Sequence, residues 1–129
     1  MLSELCIVEN SIIHKILAKN LEEFLNLFAE EEKTYCFGGK KWEMHLTARF
    51  AAKKAVYKLL GARAEIQWNT IVIRHDSSGA PHIILKGIAA EHADDLKVMR
   101  WHLSLTHTDQ YAAAFVVAEG LEGGKSPLT

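Results

Sequence analysis

The spacing of apolar residues changes once along this chain, and that change limits the folds open to it. From Ile12 to about Lys33 they recur at three- and four-residue steps, through Ile13, Ile16, Leu17, Leu21, Phe24, Leu25 and Phe28, which is the period of an amphipathic helix. A second helical stretch runs from about Trp42 to Leu60, with Leu46, Phe50, Val56, Leu59 and Leu60 as core residues, and stops at Gly61, the residue type that most readily closes a helix. Beyond it the apolar runs are short. IQWNTIVIRH (66–75) and PHIILKG (81–87) flank the turn-forming DSSGA, which predicts a hairpin. WHLSLTHT (101–108) alternates, and YAAAFVVAE (111–119) follows a turn at Asp109–Gln110, so two more strands are expected. LCIV (5–8) reads as a short strand, IAAEHADDLKVMR (88–100) as a short helix, and Thr34 to Gly39 as a connection. The class is α+β, with an antiparallel sheet packed on the long second helix.

The length of 129 residues suits one domain over 1–120, with a flexible tail at 121–129. No apolar run reaches the roughly 18 residues that a membrane span needs, and MLSELCIVEN has acids where an export signal carries bases. Cys6 and Cys36 read as reduced buried thiols, so the expected location is the cytoplasm. A formal net charge of -1 argues against a protein that coats nucleic acid. That sum hides an asymmetry. Residues 21–33 hold five glutamates against Lys33, and residues 39–63 hold seven lysines and arginines against Glu43.

Within the basic segment, RFAAKKAVYKLLG (49–61) sets Arg49 four residues from Lys53 and Lys54 four from Lys58. On a helix such like charges share a face and cost a few tenths of a kcal/mol per pair. A solvated surface is one explanation. A phosphate site is the other, since ammonium and guanidinium groups on one face offset several anionic charges together. No Gly-rich phosphate loop accompanies them. His102, Ser104 and Thr106 share one face of the 101–108 strand, again either an exposed polar face or a ligand surface. A nucleophilic Ser104–His107 pair is disfavoured because positions three apart point to opposite faces of a strand. The two cysteines and seven histidines lack the spacing of a zinc site.

Taken in order, RFAAKKAVYKLLG, WNTIVIRHDSSGAPHIILKG and WHLSLTHTDQYAAAFVVAE resemble the successive signatures of the bacterial holo-acyl-carrier-protein synthases, in the 4′-phosphopantetheinyl transferase superfamily. The resemblance runs from about Leu5 to Glu119. It implies the α+β fold of that superfamily and homotrimers whose active sites lie at subunit interfaces. It also implies a reaction that moves phosphopantetheine from coenzyme A onto a serine of an acyl or peptidyl carrier protein, using magnesium. No nucleic acid or membrane is implied as a partner. Coenzyme A supplies an anion for the basic helix: Arg49, Lys53 and Lys58 match family basic residues, and His102, Ser104 and Thr106 match the family strand. These six are the expected coenzyme A contacts.

Two departures accompany the resemblance. The family's metal carboxylates come from an N-terminal Gly-x-Asp-x-Val-Glu pattern and from Lys-Glu-Ala in the helix. Here Cys6 stands at the aspartate and Lys54 at the glutamate, while Glu9 is retained. Magnesium takes hard oxygen ligands, so no metal ligand is expected at Cys6 or Lys54. In one reading the chain is a divergent transferase. Lys54 would supply positive charge near the metal's place, Arg49 and Lys58 would help the diphosphate leave, and Glu9 or a water would accept the serine proton. Lys58, Lys54 and Glu9 are then the expected catalytic residues. In the other reading it is a non-catalytic relative, a binding or regulatory subunit, or one that pairs with an active relative. The second departure concerns the partner. The family meets acidic carrier proteins with a basic first helix, whereas LEEFLNLFAEEE reads here as an acidic one, so docking through the usual surface is not expected.

Overall fold

The computed structural model describes residues 1–120; the tail expected at 121–129 lies outside the described residues. The elements run β1 (Leu2–Glu9), α1 (Asn10–Leu25), α2 (Glu30–Phe37), α3 (Trp42–Leu59), β2 (Ile71–His75), β3 (Pro81–Leu85), α4 (Gly87–Asp95), β4 (Val98–His107) and β5 (Tyr111–Gly120). An antiparallel sheet of order β1-β5-β4 lies beside the antiparallel hairpin β2-β3. Alternation sorts β5 cleanly. Ala112, Ala114, Val116 and Ala118 are buried, while Tyr111 and Phe115 face outward. Opposite them α3 presents Leu46, Ala51, Ala52, Ala55 and Val56, all fully enclosed. Alanine on both surfaces lets the helix lie close across β5 and β1. At its end Gly61 takes φ +95°, a conformation open to glycine and strained for residues with a Cβ.

Four expectations shift at the level of elements, the first being the connection expected over 34–39, of which 34–37 form the end of α2. The helical period over 12–33 covers two helices, because Asn20 leaves helical geometry (φ -136°, ψ 49°) and α2 restarts after a turn at 26–29. The apolar period survives the break since both pieces pack on one core, through Ile13, Leu17, Phe24 and Phe28. Residues 66–70 are not strand. Trp68 is held in a short 3-10 turn, its ring stacked on Phe50 and tilted against Tyr57. Residues 98–100 belong to β4 rather than to the preceding helix. Cys6 and Cys36 are buried separate thiols.

The interior also holds charge. Lys53 and Glu32 have 0% and 1% of their surface exposed. The Lys53 ammonium donates to Glu32 Oε1 at 2.6 Å and to the Ile71 carbonyl. Glu32 in turn accepts from the backbone N–H of Ala29 (2.9 Å) and of Ile73 (3.0 Å). Burial pushes the Lys53 pKa down, and the Glu32 carboxylate works against that shift. Lys53 is therefore corrected as a coenzyme A contact: its ammonium is turned into the core and its hydrogen bonds go to protein. Removing one member of such a pair leaves an unpaired buried charge, at a cost of roughly 3–5 kcal/mol. In urea unfolding, Lys53→Met is expected to lose about that much, and the double variant Glu32→Gln/Lys53→Met to recover most of it. A loss below about 1 kcal/mol in the single variant would contradict this account.

Candidate functional site

One turn before Lys53, Arg49 is 99% enclosed, as its exposure of 1% shows, but it borders an open cavity of about 380 Å³. Its Nη2 donates to Nδ1 of His75 at 2.7 Å. Its guanidinium carbon sits 4.4 Å from the centre of the Tyr35 ring, and that ring lies parallel to His75 at 5.0 Å. The Arg49 Nε is buried and has no hydrogen-bond partner. The buried Cys36 thiol lies against the same guanidinium: burial raises its pKa, and the Arg49 charge works against the rise. His45, His107 and Ser104 also line the cavity, and no carboxylate is among its lining residues. Burial, and then the Arg49 charge, depress the pKa of both His45 and His75, so both are neutral at neutral pH. Gly79 and Pro81 form part of the rim. Asp76 fixes that turn by accepting from Ser78 and from the Ala80 N–H, with His82 on its other oxygen. Those bonds, the Ser78 hydroxyl's first, hold its carboxyl far below the usual range.

A second cationic cluster lies at the other edge of the sheet. Cys6 points inward from β1 and is 6% exposed. Burial raises its thiol pKa, and the charges of Lys54 and Lys58 oppose the rise. Lys58 reaches Glu4 at 4.0 Å, the outer limit of an ion pair. Lys54 is half-buried, and among the described residues no carboxylate lies within ion-pair distance of it. This donor set does not suit magnesium. The thiol is neutral and soft, Lys54 has no lone pair to give, and Glu4 already faces Lys58. Among the described residues no three His, Cys, Asp or Glu side chains gather as a metal site. Two unit charges 4 Å apart interact by roughly 4 kcal/mol near a protein surface, so a divalent cation beside Lys54 would be opposed by about twice that.

The expected residues thus fall into separate places. Arg49 and Ser104 share the cavity beside β4, and Lys54 and Lys58 stand beside β1, with β5 between the two edges. On α3, Arg49 and Lys54 are five residues apart, about 140° around the helix, so one chain does not bring them to a common point. His102 and Thr106 are exposed on the outer face of β4, where His102 Nε2 lies 2.9 Å from Glu119. Glu9 ends β1 with Ser11, Asp109 and Gln110 around it. It sits at an outward position of the strand, away from Lys54, which faces inward-pointing Cys6. Tyr35, His45, His75 and His107 escaped sequence reasoning. His107 carried a signal, since it shares strand parity with Leu103 and Leu105, the inward face.

The structure also redistributes the acidic run. Exposed Lys15 and Lys19 lie on the first part of α1 with Ile12 (49% exposed) between them and the N-terminus, and no acid occurs before the break at Asn20. Glu22 and Glu23 follow the break. Glu31 binds Arg74 through two hydrogen bonds, and Glu30 pairs with Lys33. The first helix is therefore not acidic throughout, as its sequence suggests: its N-terminal part is basic.

Comparison with known proteins agrees with this geometry. Residues 7–116 match the family model described as 4′-phosphopantetheinyl transferase superfamily. A holo-[acyl-carrier-protein] synthase of Anaeromyxobacter dehalogenans is 41% identical over 118 residues, 88% of this chain and 91% of that protein. One from Geobacter sulfurreducens is 38% identical over 102 residues, 78% of this chain and 81% of its own. The crystal structure of the Neisseria meningitidis synthase superposes with a TM-score of 0.83 at 28% identity, covering 91% of this chain and 96% of that one. The Helicobacter pylori synthase in complex with coenzyme A gives 0.79 at 25% identity, over 92% and 100%. With most of its length matched in both sequence and fold, the chain belongs to the 4′-phosphopantetheinyl transferase superfamily, in the family of the holo-acyl-carrier-protein synthases.

Proposed function

We propose that this chain binds coenzyme A and transfers its 4′-phosphopantetheine to a serine of a carrier protein. The observation that carries the reading is the cavity beside β4. The buried Arg49 guanidinium borders an opening that three histidines line and no carboxylate does. Arg49 offers charge-assisted hydrogen bonds to a phosphate of the nucleotide end. Neutral imidazoles beside it can take up a proton as the anion arrives. In the transfer, the serine oxygen forms a bond to the phosphorus that bears pantetheine. The bond from that phosphorus to the bridging oxygen breaks, and the electron pair leaves on adenosine 3′,5′-bisphosphate. The serine proton passes to water, since Glu9 stands apart from Lys54 and Lys58. Those two lysines are the cations on hand for the leaving diphosphate.

A homotrimer completes the site. The outer face of β1 and β5 presents Leu5 (56% exposed), Ile7 (61%), Phe115 (45%) and Tyr111 (42%) to solvent. Leu5 lies opposite Phe115 and Ile7 opposite Ala113, with Tyr111 beyond them opposite Glu9, and an apolar face of that kind marks an interface. Closing it in a ring buries every copy's patch. It also gives the Lys54 edge of one copy the chance to meet the cavity of the next, with His102, Ser104 and Thr106 near the seam. The carrier protein, being acidic, docks on the basic first part of α1 through Lys15 and Lys19. The two separate buried thiols, Cys6 and Cys36, fit action in the cytoplasm.

Incubation with coenzyme A and apo carrier proteins, read by mass spectrometry, should show the gain of one phosphopantetheinyl group. Coenzyme A binding with no gain on any cognate carrier would favour the non-catalytic reading instead. Replacing Arg49 with Gln removes charge-assisted bonds worth roughly 1.5–3 kcal/mol, so the Kd for coenzyme A is expected to rise about 10–100-fold. An unchanged Kd would place the nucleotide elsewhere. For the assembly, Phe115→Lys should convert a trimer to a monomer in light scattering at unchanged helix content. A monomeric parent protein would refute the ring.

A further inference from the structure

The family reading leaves one cluster unexplained, and its charge can be counted. Two carboxylates and a divalent cation sum to zero. The neutral Cys6 thiol and the Lys54 ammonium that stand in their places sum to plus one. Lys58 adds a second ammonium, and Glu4, the nearest carboxylate, meets it only at the 4.0 Å limit. Lys54 keeps its charge without a carboxylate partner among the described residues, on a half-buried helix face beside β1. Half-burial matters, because a cation partly withdrawn from water interacts more strongly with a ligand than one fully screened. An ammonium brings three donors and no acceptor, which fits phosphate oxygens and excludes metal ions.

We propose that Lys54 and Lys58 form an anion site that takes a diphosphate without any divalent cation. As coenzyme A is the ligand of the proposed function, its diphosphate is the occupant, so this inference rests on that reading. The cluster stands where the family places its metal, but it works with opposite charge. Lys54 fills the cation's role with a side chain, and Cys6 contributes no charge because its thiol remains protonated inside the strand–helix seam. The substitutions at 6 and 54 then form one coupled change. A retained aspartate at 6 would have paired with Lys54 and cancelled the site, whereas a thiol leaves it open.

The test uses the full-length protein in buffer freed of divalent cations by chelating resin, with titration calorimetry as the readout. Coenzyme A is expected to bind with the same Kd, within about twofold, before and after magnesium is added. Lys54→Gln should weaken metal-free binding about tenfold or more, and Lys54→Arg should retain it. Thermal unfolding of each variant near the parent's temperature shows that the fold is unaffected. The charge reversal Cys6→Asp/Lys54→Glu should lose metal-free binding and regain it when magnesium is supplied. Strengthening of the parent's affinity by tenfold or more with magnesium would overturn the inference, as would an unchanged Kd in Lys54→Gln. Inorganic pyrophosphate in the metal-free buffer separates the two readings. If it binds in a Lys54-dependent manner while coenzyme A does not, the anion site stands and the coenzyme A function falls. If neither binds, both fall.

Discussion

The buried pair of Lys53 and Glu32 is the interaction on which the rest of the structure hangs. Glu32 closes the start of α2, accepts from the first strand of the hairpin at Ile73, and receives the ammonium of α3. Lys53 also donates to Ile71. Three elements that are far apart in sequence thus meet through two side chains, and the bonds that join them to one another are buried. Such a pair adds little net stability against a well-packed apolar alternative. What it contributes is position. Arg49 lies one turn from Lys53 on α3, His75 ends the strand that Ile71 begins, and Tyr35 sits one turn from Glu32 on α2. Anchoring those three elements to one another sets Arg49, His75 and Tyr35 in a single stack at the cavity wall.

Much of the fold was legible because apolar period is set by geometry, and the strands, the hairpin and α3 follow from it. The misplacements have physical reasons. Asn20 interrupts a helix without disturbing its apolar stripe, so the period continues across a real break. The aromatic contacts of Trp68 hold a turn where β-branched neighbours favour strand. Among the site residues, charge counting misled most at Lys53. Its position was readable: Leu46, Arg49, Lys53, Val56 and Leu60 follow steps of three and four, one stripe that faces the core. Lys54 and Lys58 fall on the adjoining face and stay accessible. What sequence could not supply was the partner, because Glu32 comes twenty-one residues earlier and nothing local links it to α3. The three cavity histidines were hidden for the same reason, being drawn from α3, β2 and β4.

The separation of the two cationic groups follows from sheet order. With β5 in the middle, β1 and β4 are the edges, and α3 lies across them so that its two faces serve different edges. In the proposed ring a ligand that needs both groups would lie between copies, with the apolar outer face as their contact. The same arrangement explains how the chain can keep one half of its site while altering the other. Arg49 and its histidines draw nothing from Cys6 or Lys54, so substitutions at the β1 edge leave the cavity's geometry as it is.

Replacing a metal by an ammonium changes more than the sign of a ligand set. A divalent cation holds phosphate oxygens in a fixed octahedral frame, and its charge stays where the carboxylates put it. Lys54 delivers one charge on a four-carbon stem with free rotation. Diphosphate binding depends mainly on total charge, which the exchange raises by one. Departure of the leaving group depends on charge placed where it develops in the transition state, and a flexible stem places it less well. The site proposed at the β1 edge would therefore retain binding more fully than rate. Lys58, one turn further along α3 and 4.0 Å from Glu4, adds a second charge on the same face of the helix, and its like charge opposes approach of the Lys54 ammonium.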